Sequence, residues 1–148
     1  MYYVLDGNKK YSKLLIKDIQ FNLLLKYDCR TDEPITLLAL LNNLTANAVE
    51  AIPTKGTITI EINQQADVIV FCVSDTGIGI AKENLSIIFE PGYTTKYDDE
   101  GVAATGIGLS HVAALVTKLN GTVSVDLAQG ETKFIIKIPT QTIQTGET

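Results

Sequence analysis

The chain has 148 residues, 45% hydrophobic and 20% charged, a balance that excludes a disordered or fibrous protein and fits one globular domain. Twelve Lys and Arg against 17 Asp and Glu leave a formal charge of −5, which argues against a nucleic-acid partner because no broad basic face is available for phosphates. No run of eighteen apolar residues marks a membrane span, and the start lacks the basic and apolar regions of a signal peptide. The sequence therefore reads as a cytoplasmic domain without membrane contact of its own. Cys29 and Cys72 stand alone, with no second pair, and read as reduced thiols and not as metal ligands.

In chain order, Lys10 to Lys17 is expected to form a short helix and Phe21 to Tyr27 a strand. Residues 1–30 are taken as a linker remnant with the first elements of the domain, 31–139 as the domain proper and 140–148 as a polar, frayed tail. Asp32-Glu33-Pro34 sets up a helix start, and the pattern from Ile35 to Ile52 is helical until Pro53 stops it. Thr57 to Asn63 alternates as a half-buried strand, whereas Val68 to Ser74 is almost continuously apolar and reads as a central strand buried on both faces. Lys82 to Phe89 is expected to be a short helix. Glu90 to Thr105 has no apolar period, the mark of a functional loop. A helix from Gly106 to Leu119 and a hairpin of strands, Thr122 to Leu127 and Thr132 to Ile138, complete the chain. About five strands and three helices predict an α/β two-layer sandwich with a mixed sheet; the final hairpin argues against a doubly wound fold.

Three segments carry chemistry. At roughly 100° per residue, Asn43, Asn47 and Glu50 share one face of the first long helix while Leu37, Leu41, Leu44, Ala48 and Ile52 point the other way. Asparagine competes for backbone hydrogen bonds within helices, so two on one stripe suggest amide oxygens facing a hydrated divalent cation; the alternative is a solvated face. Asp75-Thr76-Gly77-Ile78-Gly79 places a carboxylate at the end of a buried strand, followed by glycines that permit close backbone approach. It lacks the third glycine of a dinucleotide fingerprint, and a plain structural turn is the other reading. Gly106-Ile107-Gly108-Leu109 opens a helix with free N–H groups, suited to an anion or to simple capping. His111, the single histidine, has no positioned acidic partner.

In their order, Asn43 to Ala48, Asp75 to Gly79, Phe89 to Lys96 and Gly106 to Leu109 resemble the N, G1, F and G2 boxes of the ATP-binding domain of sensor histidine kinases, the Bergerat-type fold shared with gyrase, MutL and the ninety-kilodalton heat-shock chaperone. Gly130 to Phe134 is similar to that family's last glycine–threonine motif. The resemblance implies ATP and Mg²⁺ as ligands. It implies that Asn47 coordinates Mg²⁺, that Asn43 contacts phosphate or the metal shell, and that both serve the transfer. Asp75 would accept the adenine amino group, Gly77 and Gly79 would shape the pocket, and Thr132 would support the adenine contact through water. Residues from about Gly92 to Thr105 would form a mobile lid, Lys96 would meet phosphate, and the amides of Gly106, Ile107, Gly108 and Leu109 would hold phosphates. Two departures stand out: Ala104 where the family often has glycine, and Glu50 where many sensor kinases carry a basic residue.

The ATP-hydrolysing relatives carry a glutamate where Asn43 stands, and an amide cannot take a proton from water. The resemblance therefore implies a domain that saves the γ-phosphoryl group for a histidine. No acceptor histidine is present, so the expected partners are a histidine-containing dimerisation domain of the same parent protein and, downstream, a response regulator; the parent is expected to be cytoplasmic or membrane-anchored. An anti-sigma-factor-like serine kinase and a nucleotide sensor without transfer activity are the alternatives.

Overall fold

A computed structural model describes residues 2–6, 13–26, 31, 33–91 and 108–143. Six strands, β1 (Tyr2–Asp6), β2 (Lys13–Leu25), β3 (Lys55–Gln65), β4 (Val68–Asp75), β5 (Thr122–Ala128) and β6 (Glu131–Pro139), form one sheet in the order β1-β2-β3-β4-β6-β5. Only β2 and β3 pair in parallel; every other neighbour is antiparallel, so the sheet is mixed as the sequence predicts. Helices α1 (Pro34–Ala51) and α2 (Gly108–Lys118) pack on each other, α1 also against β4 and β3 and α2 against β5.

The parallel β2–β3 pair requires a crossover, and α1 supplies it. Pro34 sits in its first turn, where a missing N–H costs nothing, and Pro53 ends it by forcing Ile52 into an extended conformation (φ −94°, ψ 113°). Leu37, Leu40, Leu44 and Ala48 of α1 meet Ile69, Phe71 and Val73 of β4 and Phe134, Ile136 and Ile138 of β6 in one core with Val112, Val116 and Leu119 from α2 and its end. Ile69, Phe71 and Val73 lie directly opposite Ile138, Ile136 and Phe134, the cross-strand pairing that stabilises a sheet face. Val70, Cys72 and Ser74, on the other face of β4, are buried as well, as expected of a central strand. Burial pushes the Cys72 thiol above its ordinary value, with Glu61 adding to the shift while Lys133 and Lys137 oppose it.

Three local expectations are corrected. Lys13–Lys17 is not helical but the first part of β2, whose 13 residues run through to Leu25. Pairing with β1, and continuity with the part of β2 from Asp18 onward that pairs with β3, outweigh the local lysine-rich composition there. Lys82–Asn84 forms one 3₁₀ turn, and Leu85–Phe89 continues as turns, not as a helix. The segment is nevertheless anchored: Ile88 is buried, and the Phe89 ring meets Phe134 edge-on at 6.2 Å and 79°. Within the expected tail, Thr140–Ile143 forms a short helix, α3, tied down by the Thr140 N–H on the Asp67 carbonyl at 2.8 Å.

Candidate functional site

Among the described residues, the end of β4 holds the one buried carboxylate. Asp75 is 2% exposed, and its Oδ1 accepts the Gly77 N–H at 2.9 Å, closing a tight turn. Carboxylates are almost never this buried without partners. In register directly opposite stands Thr132, the second residue of β6 and itself 4% exposed. Because β6 lies between β4 and β5, the two side chains share one end of the sheet.

The backbone after Asp75 is held closely. The Thr76 N–H donates to the Thr57 carbonyl at 3.2 Å, and the Thr76 hydroxyl accepts the Thr57 N–H at 3.0 Å. The Ile78 N–H then donates to the Ala51 carbonyl at the C-terminus of α1, at 2.9 Å. A Cβ on Gly77 would stand 2.3 Å from that carbonyl oxygen, so only glycine fits. Gly79 follows at φ +79°, in the left-handed region that glycine adopts without strain.

A cleft of about 290 Å³ opens between this loop and the β5–β6 hairpin. One wall is Gly77 to Ile80; the other is Leu127 to Thr132. The volume is at the lower end of the range for small-molecule sites, roughly 300–1,000 Å³. Ile78, Ile80, Leu127 and Ala128 make its sides largely apolar, with Asp75 at the end of the strand that leads into it. Such a slot suits a flat heteroaromatic ring carrying an N–H donor at one edge.

The asparagines lie on α1, one and two turns before Ala51. Asn43 and Asn47 are half-buried and Glu50 is exposed, while Leu37, Leu40, Leu44 and Ala48 face the core. The amide stripe is thus on the flank expected for it. The Asn43 Nδ2 donates to the Ala39 carbonyl at 2.8 Å, which leaves its oxygen as the group to offer a ligand. Gly108 and Leu109 open α2; Leu109 is buried among the core residues, so its backbone N–H and not its side chain is what could meet an anion. The structure therefore brings Gly77, Gly79 and Thr132 together around one cleft, with Asp75 in register beside Thr132. Lys96, Gly106, Ile107, Ala104 and the expected lid lie outside the described residues, as does Cys29.

Sequence reasoning missed the hairpin wall from Leu127 to Glu131. Its signal was the Gln129-Gly130 pair, both left-handed (φ 54° and 77°), as the tight two-residue hairpin turn demands. It also missed the part played by the Ala51 carbonyl, which no side-chain pattern reports. Among the described residues, no helix is long and apolar enough to cross a membrane.

Comparison with known proteins agrees with this architecture. Residues 32–142 match the family described as histidine kinase-, DNA gyrase B-, and HSP90-like ATPase. The chain is 38% identical over 137 residues to the sensor histidine kinase GlnK of Bacillus subtilis (strain 168), covering 92% of this chain and 33% of that protein. It is 37% identical over 109 residues to the sensor histidine kinase ZraS of Salmonella typhi, covering 72% of this chain and 22% of that one. The chain thus spans a third or less of the length of these relatives. Among solved structures, the catalytic domain of the histidine kinase ThkA superposes with a TM-score of 0.71 at 26% identity, over 82% of this chain and 80% of that one. Full-length ShkA in complex with AMPPNP shares the fold, with a TM-score of 0.71 at 24% identity, over 88% of this chain and 27% of that one. With a family match across most of its length and the sheet and helices of such domains, the chain belongs to the histidine kinase-, DNA gyrase B- and HSP90-like ATPases, as a catalytic ATPase domain whose homologues are sensor histidine kinases.

Proposed function

We propose that the cleft binds the adenine of Mg-ATP and that the domain passes the γ-phosphoryl group to a histidine on a dimerisation domain of the same parent protein, for onward transfer to a response regulator. The observation that carries this reading is the buried Asp75 carboxylate, in register with Thr132, which lines an open, largely apolar cleft whose other wall begins two residues after Asp75. A carboxylate accepts at about four lone-pair positions, so it can take an exocyclic amine alongside the Gly77 N–H. Guanine presents a carbonyl oxygen at that edge and would face the carboxylate oxygen to oxygen.

The residues fit Mg²⁺ as well as nucleotide. Mg²⁺ takes few protein oxygens and keeps waters and phosphates, which a half-buried amide oxygen on α1 can satisfy. Asn47 would hold the ion, with Asn43 one turn earlier contacting phosphate or a metal-bound water. When bound, Mg²⁺ neutralises charge developing on the transferring and leaving phosphates. The chain's own contribution is positioning: the cleft fixes the base, α1 supplies neutral oxygens, and the Gly108 and Leu109 amides face the anion. The imidazole nitrogen's lone pair forms the new P–N bond as the bond from the γ-phosphorus to the β–γ bridging oxygen breaks. ADP leaves with that electron pair, and the acceptor's ring N–H proton passes to solvent. Asn43 is no base for water, which favours transfer over hydrolysis.

Calorimetric titration of Mg-ADP into the wild-type chain and Asp75→Asn tests the site. Micromolar binding by the wild type, lost by roughly 10²-fold in the variant because a charge-assisted contact worth about 1.5–3 kcal/mol is removed, is the expected result. No binding by the wild type would sink the reading. With Mg-ATP and a supplied histidine domain, the wild type is expected to form acid-labile phosphohistidine and Asn47→Ala to form almost none. Acid-stable phosphoserine on a partner protein would instead favour an anti-sigma-like serine kinase, and normal transfer by Asn47→Ala would remove the metal assignment.

A further inference from the structure

Lys17 lies on β2, far in sequence from every residue of the cleft, yet it is 5% exposed and its Nζ donates to the Val49 carbonyl at 2.9 Å. Burying an ammonium group is costly unless hydrogen bonds and opposite partial charge compensate it. The C-terminus of α1 provides both, since its last carbonyls carry the negative end of the helix dipole. That helix has no basic residue of its own in the last turn. The cation favoured there comes from a strand instead.

The same helix end carries the cleft. Ala51, two residues after Val49, accepts the Ile78 N–H at 2.9 Å, and its carbonyl oxygen is the atom against which Gly77 packs. A continuous line of contacts therefore runs from Lys17 through the final turn of α1 to the Gly77–Ile78 wall beside Asp75. A shift of that turn moves the wall relative to Asp75 and Thr132, which are pinned by the β4–β6 ladder.

We propose that Lys17 is a positioning residue for the base half of the nucleotide site: its ammonium group fixes the last turn of α1, and that turn sets the width of the slot. This rests on reading the cleft as a purine site. The Val49 carbonyl also accepts the Ile52 N–H at 3.3 Å, so removing Lys17 does not leave the helix end without a donor, and the variants are expected to fold.

The test uses the full chain with three probes: Mg-ADP, adenosine and Mg-tripolyphosphate. In Lys17→Met, affinity for ADP and for adenosine is expected to fall about tenfold, the scale of one charge-assisted hydrogen bond, while tripolyphosphate affinity stays unchanged. Lys17→Arg, which keeps charge and donors, is expected to restore most of the loss. Unchanged ADP and adenosine affinity in Lys17→Met would overturn the proposal, as would an equal loss for all three probes, because a general loosening of the fold would weaken phosphate binding too. Should Lys17→Met fail to fold, Lys17→Gln replaces it: a selective loss of adenosine affinity supports the proposal and wild-type affinity overturns it. Absence of ADP and adenosine binding by the wild type would remove the purine reading, and this inference with it; binding by the wild type that is indifferent to residue 17 removes this inference alone.

Discussion

Gly77 has the least room of the described glycines, because a Cβ there would stand 2.3 Å from the Ala51 carbonyl oxygen and 2.9 Å from the Ala51 Cβ. Neither neighbour can yield cheaply, since one is helix backbone and the other is joined directly to it. Gly77→Ala is therefore expected to destabilise the chain by about 1–3 kcal/mol, the usual cost of overpacking, read as a lower denaturant midpoint. The same change should weaken Mg-ADP binding, because relief of the clash displaces the wall of the cleft. Asp75 and its glycines were legible as residues, since a carboxylate ending an apolar strand and two glycines after it break every local pattern. That Thr132 belongs with the carboxylate came from the resemblance and from no local pattern. Its neighbour Thr132 lies 57 positions away and is brought opposite only by strand order.

Among the elements, β4 was the most readable and the start of β2 the least. A strand buried on both faces must be apolar at consecutive positions, and Val68 to Cys72 is. Lys13 to Lys17 owes its extended form to β1 on one edge and to the strand that continues from Asp18 along β3, and no periodicity within five residues can report them. The central place of β4 has a measurable effect through Cys72. Its thiol, held above the ordinary 9.0 by burial, keeps a proton in the folded chain that the unfolded chain sheds. The stabilising contribution is thus complete below the unfolded value and is lost as pH rises through the folded one. Stability of the wild type is expected to fall more steeply than that of Cys72→Val as pH rises above the ordinary thiol value of 9.0. Denaturant unfolding of both proteins across that window checks this; parallel curves would show that Cys72 does not contribute.

At the scale of the whole molecule, the order of motifs along the chain told more than any one of them. The two-layer architecture and mixed sheet followed from element types, and the family from the motif order. The cleft itself could not be read in full, because its second wall belongs to a hairpin whose docking beside β4 is a tertiary fact: β6 inserts between β4 and β5, so consecutive strands in the sequence are not consecutive in the sheet.

That insertion makes the two walls unequal. The loop from Gly77 to Ile80 grows out of the central strand, is tied to α1 through Ile78, and follows Thr76, which is bonded to β3. The opposite wall is the tip of the outermost hairpin, where Ala128, Gln129, Gly130 and Glu131 are all exposed. Edge elements with few buried contacts open at lower free energy than central ones, so one jaw of the slot is fixed and the other yields. Tolerance toward modified purines should then be lopsided. With adenine bound as proposed, bulk added to the ring edge toward residues 128–130 is expected to cost little affinity, whereas replacing the amine proposed to meet Asp75 by a carbonyl is expected to abolish binding. Competition of matched analogues against Mg-ADP would read out this asymmetry, and an inhibitor for this domain would best be grown in the hairpin's direction.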